Sequence, residues 1–401
     1  MRKTHLLAIS LIIAAAALSV SQVAAATWDE IVAGARGKTV YWNAWGGDER
    51  TNSFIAWVGS EMEKRYGVTV RHVKLSDTAE AVARVVAEKT ASRDDDGSVD
   101  LIWINGPNFL SMKENNLLYG PFAEALPNFR YVDTVNKPSN VIDFTLPVDG
   151  MAAPWRLAQI VFVRDSARIT EVPRTIPKFL EWAKEHPGRF AHPDVRDFLG
   201  VTFLKQALYE LAPEPEALQA PATDANFDTV TAPLWAWYDE LKPLLWRGGR
   251  QFPQSGPAAR QLLSDGEIDM LISFDPAEAA AWVDSDLVAD TVRAFTLDKG
   301  TIGNTSFVAI PYNSGNKDAA MLVADFLLEP STQARAQDTR YLGSFTVLDL
   351  DKLDDDQRGV FAGLPGNPAL PSNDDLRLAL PEPHPSWMTR ISDEWLRRYT
   401  N

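Results

Sequence analysis

The chain has 401 residues, 45% of them apolar and 23% charged, with no cysteine. This excludes a low-complexity or disordered chain and every function that needs a thiol: disulfides, zinc thiolates, iron–sulfur clusters, cysteine nucleophiles and a lipidated N-terminal cysteine. With 39 basic residues against 54 acidic ones the net charge is −15, which argues against nucleic-acid binding and against docking on anionic lipid.

Arg2 and Lys3 precede an apolar run from Leu6 to Val20, followed by Ala24, Ala25 and Ala26. A basic start, a short apolar core and small residues predict an export signal over 1–26, cleaved near Ala26. The run is shorter than the ~20 residues a membrane-spanning helix needs. A chain of the remaining length is expected to form two lobes.

Lys38-Thr-Val-Tyr-Trp-Asn43 reads as a strand, broken by Ala44-Trp-Gly-Gly-Asp48. Phe54, Trp57, Val58, Met62 and Tyr66 then recur at helical spacing up to Gly67, and Val68-Thr-Val-Arg-His-Val73 is a second strand. Strand, helix and strand predict a parallel βαβ unit. A helix over 77–90 and a buried strand over 99–104 continue the α/β pattern. Asn105-Gly-Pro107 ends that strand, and Asn108 is placed to cap the next helix.

Residues 151–164 form one long extended stretch. Helices are expected at 177–185, 198–211, 231–246, 258–263 and 277–283, with a strand over 268–273 before Phe274-Asp-Pro276. Phe307-Val-Ala-Ile310 is a short strand, 317–328 an amphipathic helix, 350–385 a loop-rich stretch and 387–399 a closing helix. No G-x-S-x-G, H-E-x-x-H or P-loop occurs. His72, His186, His192 and His384 show no metal-pair spacing, so neither metal nor cofactor is expected.

Three stretches carry a resemblance. Leu262-Leu-Ser-Asp-Gly-Glu-Ile-Asp-Met270 gives helix, Gly-Glu turn and buried strand. Val308-Ala-Ile-Pro-Tyr-Asn-Ser-Gly-Asn-Lys-Asp-Ala-Ala320 with Asp325-Phe-Leu-Leu-Glu-Pro-Ser-Thr-Gln-Ala334 gives a late strand–loop–helix. The opening strand with its Trp-Gly-Gly loop, and Asp100-Leu-Ile-Trp, fit as well. Together they resemble the solute-binding proteins of bacterial ABC importers, the larger two-lobed type with maltose-, iron-, polyamine- and thiamine-binding members.

The resemblance implies an α/β, two-lobed periplasmic-binding-protein fold of type II, with the ligand cleft between lobes. By pattern, lobe 1 takes 27–155 plus 291–312 and lobe 2 takes 156–290 plus 313–401. Crossings are expected at Pro154-Trp-Arg-Leu157, near 289–296 and after 310–312. It further implies a monomeric, non-enzymatic periplasmic protein that hands a small solute to an inner-membrane permease and ATPase. The alternative is a secreted carbohydrate-active enzyme, which 13 Trp and many carboxylates would suit.

Ligands of open α/β sheets gather at loops leaving the carboxyl ends of strands. Trp45, Gly46 and Gly47 are candidates because glycines let a ligand approach the backbone and Trp stacks. Asn105 and Gly106 form the second such loop. Trp155 and Arg156 sit at the first crossing, where Arg156 either holds a ligand anion or bridges the lobes. Phe274 and Asp275 form the matching loop of the second lobe, with helix capping as Asp275's alternative role. Asn304, beside Thr305, adds a hydrogen-bonding amide.

Overall fold

The computed structural model describes residues 26–376 and 378–400, so the expected export signal, apart from Ala26, lies outside the described residues. Helix α1 (Trp28–Ala35) opens with a capping box between Thr27 and Glu30. Strand β1 (Thr39–Trp45) buries Val40, Trp42 and Ala44 on one face. Helix α2 (Glu49–Tyr66) starts where the Asp48 carboxylate accepts the Thr51 N–H at 3.0 Å, and it stops at Gly67, whose φ of 66° only glycine adopts freely. β2 (Thr69–Leu75), α3 (Ala79–Thr90), β3 (Leu101–Ile104) and α4 (Gly106–Glu114) follow, and β2 and β3 flank β1 in parallel. The expected βαβ unit is present. The N-cap of α4 is Asn105, not Asn108.

A small hairpin, β4 (Ile142–Asp143) and β5 (Leu146–Pro147), precedes the first crossing. The long extended stretch is two strands: β6 (Ala152–Gln159) stays in the first sheet and β7 (Val161–Asp165) enters the second. Ile160 is the changeover. The second lobe then builds α5 (Ile176–Glu185), α6 (Phe198–Leu211), α7 (Phe227–Leu241), α8 (Gly256–Ser264), β8 (Met270–Ser273), α9 (Glu278–Asp284) and β9 (Val292–Phe295). Its sheet is antiparallel, in the order β8-β7-β9.

β10 (Thr301–Ala309) returns to the first sheet, antiparallel to both β3 and β6. It is longer than the strand expected from Phe307. Its first half, Thr-Ile-Gly-Asn-Thr-Ser, has no apolar run, yet it is extended because β6 pairs along it and β11 (Ala379–Leu380) pairs its start. Helices α10 (Lys317–Leu327), α11 (Pro330–Gln337), α12 (Asp355–Ala362), α13 (Asn373–Leu376) and α14 (Pro385–Tyr399) complete the chain.

The cores correct the expected lobe boundaries. Met321, Val323, Phe326, Leu342, Leu348 and Phe361 share one apolar cluster with Trp42, Phe54 and Trp155, so residues 319–361 pack on the first lobe. β9 pairs with β7, and Ala369, Trp387 and Trp395 join second-lobe clusters. Amphipathic helices such as α10 do not carry the identity of the sheet they cover, so sequence pattern could not assign them. The chain therefore changes lobes at 156–160, at 298–303 and again near 365.

Of the 13 Trp, eight are buried in these cores and the other five are half-buried. The tryptophan content is explained by packing. Among the described residues no helix is long and apolar enough to cross a membrane.

Candidate functional site

The loop after β1 is built around its glycines. The Gly46 N–H donates to the Leu75 carbonyl at 3.0 Å, tying the loop to the end of β2, and the Asn52 amide donates to the Gly46 carbonyl at 3.2 Å. The Trp45 ring lies over Gly47 so closely that a Cβ there would stand 2.4 Å from it. Arg50, in the first turn of α2, leaves this loop for the second lobe. Its Nη2 stands 3.7 Å from Glu278 Oε1 at the start of α9.

Trp155 and Arg156 alternate across β6. Trp155 is 1% exposed and sits 5.1 Å from Trp103, 5.8 Å from Trp42 and 6.2 Å from Phe54, measured between ring centres. Its expected ligand contact is thereby corrected: the ring is core of the first lobe. Arg156 faces the other way. Its Nη2 donates to Asp275 Oδ2 at 2.6 Å, and its guanidinium lies 5.4 Å from the centre of the Trp103 ring. Of its two expected roles, the bridge between lobes is the one observed.

Asp275 Oδ2 also accepts from Ser344 Oγ at 2.6 Å, and Oδ1 accepts the Ala277 N–H at 3.2 Å. Burial pushes its carboxyl above the usual range, against the Arg156 charge. Burial likewise lifts Glu278 to about 7, with Arg50 opposing. Phe274 meets Phe198 edge to face at 5.0 Å.

A second group gathers around Asp143 of the β4–β5 hairpin. The Gly106 N–H donates to Asp143 Oδ2 at 2.6 Å, and the Asn105 amide donates to Asp143 Oδ1 at 3.4 Å and to the Thr305 carbonyl. Gly106 has φ 55°, and a Cβ there would meet the Phe144 ring at 2.8 Å. Burial pushes the Asp143 carboxyl up to about 8, the Gly106 N–H and Asn105 opposing. Asn304 donates to Glu382 Oε1 at 3.0 Å, and Lys205 donates to Glu382 Oε2 at 2.6 Å.

Of the residues singled out in the sequence, Arg156 is joined to Asp275, Asn105 and Gly106 to Asp143, Asn304 to Glu382 and Phe274 to the Phe198 ring, while Gly47 packs on the Trp45 ring and Gly46 on the end of β2. Sequence reasoning missed Arg50, Asp143, Lys205, Glu278, Ser344 and Glu382. Only Arg50 had a signal, its place in the first turn after a glycine loop. A recess of about 420 Å³ lined by Gly34, Asp96, Asn316 and Asp318 lies in the first lobe, and no singled-out residue borders it.

The sequence model of the bacterial extracellular solute-binding protein family matches residues 57–357. The chain belongs to that family. Protein YnjB of Escherichia coli (strain K12) is 41% identical over 375 residues, 94% of each chain. Among solved structures, the Tp0655 (TpPotD) lipoprotein of Treponema pallidum superimposes with a TM-score of 0.64 at 14% identity, over 90% of this chain and 98% of that one. The fructose-6-phosphate-bound periplasmic binding protein AfuA of Actinobacillus pleuropneumoniae gives 0.61 at 14% identity, over 90% and 99%. The ferric binding protein of Campylobacter jejuni gives 0.60 at 14% identity, over 90% and 98%. This family membership makes the chain a solute-binding protein of the ABC-transporter type, with the two-lobed α/β fold of its neighbours.

Proposed function

We propose that the protein is exported to the periplasm, captures a small polar solute between its lobes and delivers it to an inner-membrane permease driven by an ATPase. The observation that carries this reading is the junction itself. β6 and β10 run side by side where the chain passes between the lobes, and the loop after β8 meets them through the Arg156–Asp275 pair. Two antiparallel strands bend as a unit, so the lobes open and close without disturbing either core.

We assign solute contact to Trp45, Gly46, Gly47, Asn105, Gly106, Arg156, Phe274, Asp275 and Asn304. The Arg156–Asp275 pair offers both a guanidinium and a carboxylate, so a solute that competes for either charge separates the pair as it binds. Since the fold serves a ferric-binding and a fructose-6-phosphate-bound relative, the junction side chains, not the fold, decide the cargo. No observation favours a carbohydrate-active enzyme.

The test is direct. Small molecules carried through gentle purification are released by denaturation and identified by mass spectrometry, then returned to the protein in calorimetry. Saturable binding that Arg156→Ala weakens supports the assignment. Binding unchanged in Arg156→Ala, Trp45→Ala and Asp275→Ala alike would place the solute elsewhere. Export is checked by N-terminal sequencing of periplasmic material, which should begin at Ala26 or Thr27.

A further inference from the structure

Lys205 is a lysine with no exposed surface, on a helix whose neighbours Val201, Phe203, Leu204 and Leu208 are second-lobe core. A buried ammonium is costly unless paired and surrounded by compensating groups. Here the compensation comes from three places. Glu382, on the C-terminal segment, accepts its hydrogen bond at 2.6 Å and is itself held by Asn304 of β10. Phe198, at the start of α6, presents its ring 5.0 Å from Nζ. Phe144, from the first lobe, presents its ring at 4.8 Å, with the Asp143 carboxyl beside it. Asp143 and Phe144 are fixed to the first lobe by the Gly106 N–H and the Asn105 amide.

We propose that Lys205 is the latch between the lobes: its ammonium, clamped between Phe144 of one lobe and Phe198 of the other, holds the closed arrangement. This rests on the reading of the junction as a closing cleft. Opening removes Phe144 and Asp143 from one side and lets water reach the Lys205–Glu382 pair. The open state gains hydration of two charges; the closed state gains the cation–ring contacts and a pair strengthened by exclusion of water. These gains oppose each other, so the latch leaves the two states close enough in free energy for a solute to decide between them. Replacing Lys205 removes the cation from between the two rings and leaves the Glu382 carboxyl to its Asn304 hydrogen bond.

The experiment needs no solute. The chain has no native cysteine, so Lys64→Cys on α2 and Lys178→Cys on α5, both exposed, give one spin label per lobe. Pulsed electron-spin distance measurement on the full exported chain should show a substantial short-distance population for the parent beside a longer one. Lys205→Met should move the main population to a longer distance, and Phe144→Ala, which leaves the second-lobe core intact, should do the same. Lys205→Met combined with Glu382→Gln removes the unpaired carboxylate along with the cation and should keep the longer distance; a return to the short distance would show that the ammonium does not hold the lobes and overturns the latch. If Lys205→Met lowers the melting temperature while the distance stays that of the parent, Lys205 is structural only and the latch is overturned. The latch is equally overturned if Phe144→Ala leaves the distance unchanged. Neither result touches solute capture, which calorimetry tests separately.

Discussion

Arg156 and Asp275 are 119 residues apart in the chain and are joined by a 2.6 Å hydrogen bond at the point where the first crossing strand meets the loop after β8. Both side chains are about nine-tenths buried, with exposures of 11% and 10%. Removing one partner leaves the other charge in a poorly solvating site. Asp275→Leu is expected to destabilise the protein by about 3–5 kcal/mol, and Arg156→Met with Asp275→Leu by clearly less than the sum of the two single changes. Urea unfolding of the four proteins measures the coupling, and strict additivity would show the pair to be energetically idle.

The two tryptophans singled out in the sequence should behave differently. Trp155→Ala empties a fully packed site among Trp42, Phe54 and Trp103, and about 3–5 kcal/mol of stability should be lost. Trp45 is half-buried and packs on a glycine, so Trp45→Ala should cost about 1 kcal/mol or less in stability while weakening solute binding. Thermal unfolding together with calorimetry separates the two effects.

Gly106 and Gly188 both have positive φ, 55° and 80°, but only Gly106 has a neighbour, the Phe144 ring, within reach of an added Cβ. Gly188→Ala should cost about 1–2 kcal/mol, the ordinary strain of a left-handed residue. Gly106→Ala should cost more and also shift Phe144. Equal costs measured by urea unfolding would mean that Phe144 yields freely.

His192 is fully buried, with Nδ1–H donating to the Pro193 carbonyl at 2.7 Å and Nε2 accepting from the Tyr238 hydroxyl at 2.9 Å. Burial holds its pKa down at about 4, against the Pro193 carbonyl. Between about 6.5 and 4 the unfolded chain therefore binds a proton that the folded chain refuses, and stability falls as pH falls through that window. The loss attributable to His192 should be about 2 kcal/mol between pH 7 and pH 5. His192→Phe should lose less stability on that pH change than the parent does, by about this amount, in paired denaturation curves. Identical pH slopes would show that the imidazole is not held neutral.

Much of the first lobe was legible. β-branched and aromatic runs ended by glycine, and apolar residues at helical spacing, are local signals. They placed β1, α2, β2, α6 and α14 within a few residues of where they form. The glycine loops at strand ends were legible for the same reason: Gly46, Gly47 and Gly106 stand where the Lys74 side chain, the Trp45 ring and the Phe144 ring approach too closely for a Cβ. The sequence alone therefore determined the fold class and the absence of thiol chemistry.

What it did not contain is which helix covers which sheet and which charge meets which. α10 reads as amphipathic from its sequence, and only the shared core with Trp42 and Phe54 assigns it to the first lobe. β10 begins with polar residues that become a strand because β6 and β11 pair with its edges. Trp155 and Arg156 are adjacent letters on a strand buried on both faces, and only the neighbours each side chain meets send one into the first-lobe core and the other across to Asp275. Lys205 reads as a solvated lysine on a helix until Phe144, Phe198 and Glu382, drawn from distant parts of the chain, close around it. Local propensity acts over a few residues, whereas desolvation and pairing of charges depend on neighbours that only the folded chain brings together.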